Sequence, residues 1–119
     1  GTAEVHWGDS DTLVVRGTGI DHQVEPSTRA YDLSSGKERV LAEAAAHPKV
    51  SPASGLVAFQ DARTYRTIGL VSLDGSRRGD LVTVAEGLFV SPHSWSPSGD
   101  LLLFDVCPRR TSSGGLPST

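Results

Sequence analysis

His6, His47 and His93 are the residues whose type and placement could do chemistry in this chain. Each stands one to three residues ahead of a recurring block: His6 before Trp7, His47 before Val50, His93 before Trp95. Imidazole is the commonest metal-ligating side chain, and three of them carried to one axis by repeated strands would suit a divalent transition metal. The offsets of one, three and two residues are unequal, so strict equivalence fails. The ordinary reading is three independent surface or hydrogen-bonded histidines. No metal and no other cofactor is assigned; these three are the candidates if a metal binds.

Other chemical patterns are incomplete. Asp9, Asp11 and Asp21 lack the further oxygen ligands and the spaced Glu of an EF-hand and read as turn residues. Asp61 and Asp105 follow Phe-ending apolar runs and read as strand-end hydrogen-bond acceptors. There is no Gly-x-Ser-x-Gly nucleophile elbow; Gly75-Ser76-Arg77-Arg78-Gly79 has Arg at the central place. Gly17-Thr18-Gly19 lacks the rest of a dinucleotide fingerprint. Arg77-Arg78 and Arg109-Arg110 read as solvated pairs. The lone Cys107 excludes an intrachain disulfide and reads as a small buried apolar residue. A net charge of −3 argues against broad binding to nucleic acid or anionic membranes, and no apolar run reaches the roughly 18 residues of a membrane span.

The elements that must position any site are short strands. Apolar stretches of four to six residues are punctuated by Gly, Pro, Ser and Asp. Strands are expected near 12–16, 28–33, 37–42, 55–60, 66–73, 80–85 and 100–106. Leu13-Val14-Val15, Leu56-Val57-Ala58-Phe59 and Leu101-Leu102-Leu103-Phe104 are continuous rather than alternating, the pattern of strands buried on both faces. Gly36 and Gly75 sit where tight hairpin turns need positive φ. Leu41 to Ala46 has helix propensity but too little length, and reads as an inter-sheet link with room for one helical turn.

These strands repeat. Trp95-Ser96-Pro97-Ser98-Gly99-Asp100-Leu101-Leu102-Leu103-Phe104 is the strongest copy, Val50 to Phe59 (with Pro52) a weaker one, and Trp7 to Arg16 the weakest. The intervals of 43 and 45 residues are those of four-stranded propeller blades. In the block the Ser-Pro step at Pro97 sets the backbone entering the turn and Gly99 adopts its positive φ. The Trp covers the seam between blades. Trp7, Pro52, Phe59, Gly75, Trp95, Pro97, Gly99 and Phe104 are therefore the structural residues. In the first copy Arg16 stands where Phe is expected.

The block at 95–104, with Phe59, Asp61, Leu70 to Gly75 and Leu81-Val82, resembles the repeat of TolB-like, WD-like bacterial β-propellers over roughly residues 4–106. The expected fold is all-β: a partial β-propeller of four-stranded antiparallel blades near 4–42, 46–85 and 89–106, within a unit spanning 1–110, followed by a flexible tail at 111–119. Two and a half blades do not close a ring of four to eight, and the chain has no Met. The first expectation is a segment of a longer protein; the others are several copies assembling into a ring and an open self-associating stack.

The resemblance implies a non-catalytic scaffold for protein partners, in the bacterial periplasm or exterior, with the cytoplasm left open. It also implies two rivals. One is the gating propeller of a prolyl-oligopeptidase-type serine peptidase whose hydrolase domain lies elsewhere; the other is a metal-dependent sugar lyase with histidines on the propeller axis. The loop from Gly17 to Thr28, with Ile20, His22 and Val24, is the expected partner contact, because propeller-face loops carry binding.

Overall fold

The computed structural model describes residues 4–9, 11–17 and 26–108. They form ten strands: β1 (Glu4–Trp7), β2 (Thr12–Gly17), β3 (Ser27–Asp32), β4 (Glu38–Ala42), β5 (Ala45–Val50), β6 (Leu56–Asp61), β7 (Thr67–Ser72), β8 (Arg78–Thr83), β9 (Leu88–Trp95) and β10 (Leu102–Pro108). They make two four-stranded sheets, β1-β2-β3-β4 and β5-β6-β7-β8, and a two-stranded sheet of β9 and β10. Every pairing is antiparallel between neighbours in sequence.

The sheets stack in chain order. Along β6 the side chains alternate between two neighbours. Val57 and Phe59, with Val71, pack with Val14, Ala30, Leu41 and Ala42 of the first sheet. Ala58, with Ile68, faces Val90, Trp95 and Leu102 of the third. Val57, Ala58 and Phe59 are thus all buried, and a continuous apolar run is what such a strand needs. Each fully buried large apolar side chain contributes about 1.5–3 kcal/mol, so the middle sheet holds most of the cohesion.

The same kind of run on β10 has a different fate. Leu101 is 72% and Leu103 67% exposed, because no described sheet covers that face; Phe104, on the opposite face, is 39% exposed at a cleft beside the second sheet. The expectation that this run is buried on both sides is corrected here. Cys107 is corrected for the same reason: it lies on β10 and is exposed, not buried.

The link at 41–46 contains no helical turn. Leu41 and Ala42 end β4, Ala45 and Ala46 begin β5, and only Glu43 and Ala44 lie between. These alanines are nearly wholly buried. Their small side chains let one sheet hand over to the next within two residues, and Ala44 accepts a φ of 49° to make the corner.

Register corrects one alignment. Trp7 pairs with Leu13, whereas Val50 pairs with Val57 and Trp95 with Leu102. The turn after Trp7 is one residue shorter than its counterparts. The far hairpins agree: Asp32 N–H donates to the Lys37 carbonyl as Ser72 N–H does to Arg77, with Thr12 opposite Asp32 and Leu56 opposite Ser72. Val15, not Arg16, therefore occupies the place of Phe59.

Both seams are stitched alike. Ala45 N–H donates to the Pro26 carbonyl and Val90 N–H to that of Tyr65, each at 2.9 Å. The same inner-strand residues accept from the preceding sheet: Thr28 Oγ1 donates to the Ala45 carbonyl at 3.3 Å and Gln60 Nε2 to that of Val90 at 3.1 Å. Arg39 of β4 donates to the Leu73 carbonyl beyond β7.

Candidate functional site

β1, β5 and β9 are the first strands of their sheets and pack beside one another, β5 against both others. The three histidines lie on these strands. His6 sits in regular pairing opposite Val14 and is half-buried. His47 and His93 lie at β-bulges instead. The β5 register skips between Ala46 and Lys49, and that of β9 omits His93, with Pro92 opposite Phe104 and Ser94 opposite Leu103. The bulges carry His47-Pro48 and Pro92-His93, the same pair reversed. In each the proline is buried and the histidine exposed. His47 takes a φ of 51°, and His93 Nδ1 lies 3.1 Å from Ser94 Oγ. A bulge re-aims its side chain, so the shared strand position does not become a shared direction. Among the described residues no three of His, Cys, Asp and Glu come close enough together to hold a metal ion.

A cleft of about 510 Å³ opens where the β6–β7 turn meets the segment entering β9, with Arg63, Tyr65, Arg66, Glu86 and Phe89 in its lining. Tyr65 has a φ of 60°, unusual for an aromatic residue. The conformation is held from both sides: Tyr65 N–H donates to the Asp61 carbonyl, and its own carbonyl accepts the seam bond from Val90. The Tyr65 and Phe89 rings meet edge to face at 5.4 Å. Arg66 Nε donates to the Val84 carbonyl at 3.0 Å, which fixes the guanidinium at the cleft. Sequence reasoning missed this cleft; its only local signal is the Arg-Thr-Tyr-Arg run in a five-residue turn. The equivalent connection in the first sheet has Gly17 and Pro26 as its described ends, and Ile20, His22 and Val24 lie outside the described residues.

The structural residues are placed as follows. Trp95 lies in the seam between the second and third sheets, its Nε1 donating to the Lys49 carbonyl at 2.8 Å. Trp7 is 66% exposed, because no described sheet lies beyond the first. Pro52 and Pro97 are exposed in their turns. Gly99 and Gly75 have φ of 80° and 78°. Phe59 is in the core, and Arg78 stacks on its ring at 5.4 Å. Phe104 borders a second cleft beside β10.

Two carboxylates are held below the usual range, Asp74 the further, both in hairpin turns. Asp74 accepts from Ser72 Oγ at 2.6 Å and from Ser76 Oγ and N–H at 2.7 and 2.9 Å. Asp32 accepts from Ser34 Oγ and N–H at 2.7 and 2.9 Å. These bonds stabilise the charged form. They tie off the turns Asp74-Gly75-Ser76 and Asp32-Leu33-Ser34. Asp61 likewise accepts from Thr64 Oγ1 at 2.7 Å in its turn.

No protein-family model matches the chain, and no curated protein sequence matches it. Among solved structures it is similar to an oligogalacturonate lyase in complex with manganese, at a TM-score of 0.57 and 20% identity over 87% of this chain. The chain spans about a third of that lyase, 34% of its length. At this identity the likeness is one of fold. Together with the stacked antiparallel sheets, it shows this chain to be a partial β-propeller, whose described residues form two four-stranded sheets and a two-stranded one.

Proposed function

We propose that the chain is a TolB-like propeller segment that serves as a non-catalytic scaffold for protein partners. The observation that supports this most is the pair of apolar faces that no described sheet covers. Val5 and Trp7 are exposed on the first blade, and Leu101 and Leu103 on the third. Faces of that kind mark sites of polypeptide contact. The two carboxylates whose pKa is lowered are tied into hairpin turns, and among the described residues no three of His, Cys, Asp and Glu group as a metal centre requires.

Measuring mass by light scattering across a concentration series tests the reading. Association above 12.5 kDa is expected, reversed by Trp7→Lys or Leu103→Lys. A stable monomer at all concentrations overturns it.

A lyase is the second reading, favoured by the manganese-bound lyase of the same fold. His6, His47 and His93 do not form the grouped donor set a divalent metal needs, so no catalytic step is drawn through them. Manganese-dependent cleavage of a polyuronate by the chain would favour the lyase.

A further inference from the structure

The two seams share one stitch, yet the second carries more than the stitch needs. Only Glu43 and Ala44 lie between β4 and β5, whereas Val84, Ala85, Glu86 and Gly87 lie between β8 and β9. The residue ahead of the seam donor is Ala44 at the first seam and Phe89 at the second. Glu86 and Phe89 are thus additions to a handover that small residues accomplish at the first seam, and both line the cleft of about 510 Å³. The walls of that cleft are the β6–β7 turn and the β8–β9 connection, each complete within the described residues.

The β6–β7 turn likewise carries more than a turn needs. Tyr65 holds a φ of 60°, a conformation that glycine adopts freely and an L-residue only at a cost. Glycine would close the same turn but supply no ring. Beside it, Arg66 and Val84 exchange two hydrogen bonds: Val84 N–H donates to the Arg66 carbonyl at 2.8 Å and Arg66 Nε to the Val84 carbonyl at 3.0 Å. This clamp fixes the half-buried guanidinium and leaves its two Nη groups without a partner among the described residues. Glu86, on the other wall, has no side-chain partner among the described residues either, and makes no ion pair with Arg66 although both line one cleft.

One space is therefore offered a guanidinium, a carboxylate and two aromatic rings set edge to face. A guanidinium held at Nε presents its Nη groups side by side, a fork that receives both oxygens of a carboxylate. Glu86 calls for a cationic donor, and the Tyr65 and Phe89 rings for an apolar, aromatic body. A simple anion meets the first demand and is repelled by the second. A neutral apolar molecule meets neither charge. A zwitterion with an aromatic side chain meets all three, and Arg63, on the same turn as Arg66, favours its carboxylate there. The cleft volume falls in the range of small-ligand sites, roughly 300–1,000 Å³.

We propose that this cleft is a binding site for a free α-amino acid with an aromatic side chain. Its carboxylate pairs with the Nη groups of Arg66, its ammonium with Glu86, and its ring lies against Tyr65 and Phe89. The site goes beyond the protein-binding reading above and does not depend on it, since it uses neither the Trp7 nor the Leu103 face.

The test is an amide chemical-shift titration of the intact chain with L-phenylalanine, with hydrocinnamate, which lacks the ammonium, and with phenethylamine, which lacks the carboxylate. L-Phenylalanine is expected to give saturable shifts centred on Thr64 to Arg66 and Glu86 to Phe89. It should bind at least about tenfold more tightly than either analogue, since each lacks one charge-assisted bond. Glu86→Gln should bring L-phenylalanine to within about twofold of hydrocinnamate and leave hydrocinnamate at least as tightly bound. Glu86 is exposed, so this variant keeps the fold. Arg66→Lys retains the charge but not the fork and should weaken L-phenylalanine and hydrocinnamate alike. No saturable shift at about 10 mM ligand, shifts centred elsewhere, or hydrocinnamate binding as tightly as L-phenylalanine overturns the site. Association through Trp7 and Leu103 would survive each of these results, so the two failures are distinct.

Discussion

Gly99→Ala probes whether the turn of the third blade is built for its own conformation alone or also for the blade before it. Gly99 has a φ of 80°, which costs an L-residue about 1–2 kcal/mol. A Cβ there would also lie 2.6 Å from Ser51 Oγ and 2.9 Å from Ala53 Cβ, in the turn of the second blade. Overpacking of that kind costs about 1–3 kcal/mol, for a total of roughly 2–5. Gly75→Ala is the control: its φ is 78°, but a Cβ there meets nothing within 4 Å. It should cost only the conformational part, about 1–2 kcal/mol. With a urea m-value of about 2 kcal/mol/M, Gly99→Ala should lower the midpoint by about 1–2.5 M and Gly75→Ala by about 0.5–1 M, read by tryptophan fluorescence. Equal shifts in the two variants would refute the argument that the Ser51 and Ala53 contact matters.

Three further outcomes are expected. Phe59→Ala should destabilise by about 3–5 kcal/mol in chemical denaturation, since its ring fills the space between two blades, and Gly69→Ala, whose Cβ would meet that ring, should then become far less costly in that background. Trp95→Phe removes the indole donor from the part-buried Lys49 carbonyl and should cost about 0.5–1.5 kcal/mol by the same measurement. Asp74 has a folded-state pKa lowered from 3.8 by its serine hydrogen bonds, so its contribution is complete above about pH 4 and fades as pH falls through the lowered value. In an acid titration followed by circular dichroism, the native chain should therefore lose stability below pH 4 more steeply than Asp74→Asn; parallel curves would show the serine bonds to be without consequence.

The repeat of Trp95 to Phe104, with its echoes at Val50 and Trp7, determined the fold class and the strand positions, because turn and strand preferences act within a few residues. Gly36 and Gly75 were legible as turn glycines for the same reason. Burial was not legible. Leu56 to Phe59 and Leu101 to Phe104 are near-identical runs, yet one is covered on both faces and the other on one, a difference set by neighbouring sheets. The alignment of the first repeat also needed register, since one residue fewer after Trp7 puts Val15 rather than Arg16 in the place of Phe59. The candidate site depended on tertiary structure most of all. The sequence put His6, His47 and His93 on equivalent strands, but bulges at His47 and His93 sent the side chains out of step. Phe104 and Leu81, far apart in the chain, border one cleft only because the second and third blades stack. Local sequence determines the strand; which of its faces is covered, and what meets across the seam, is decided by the packing of blade on blade.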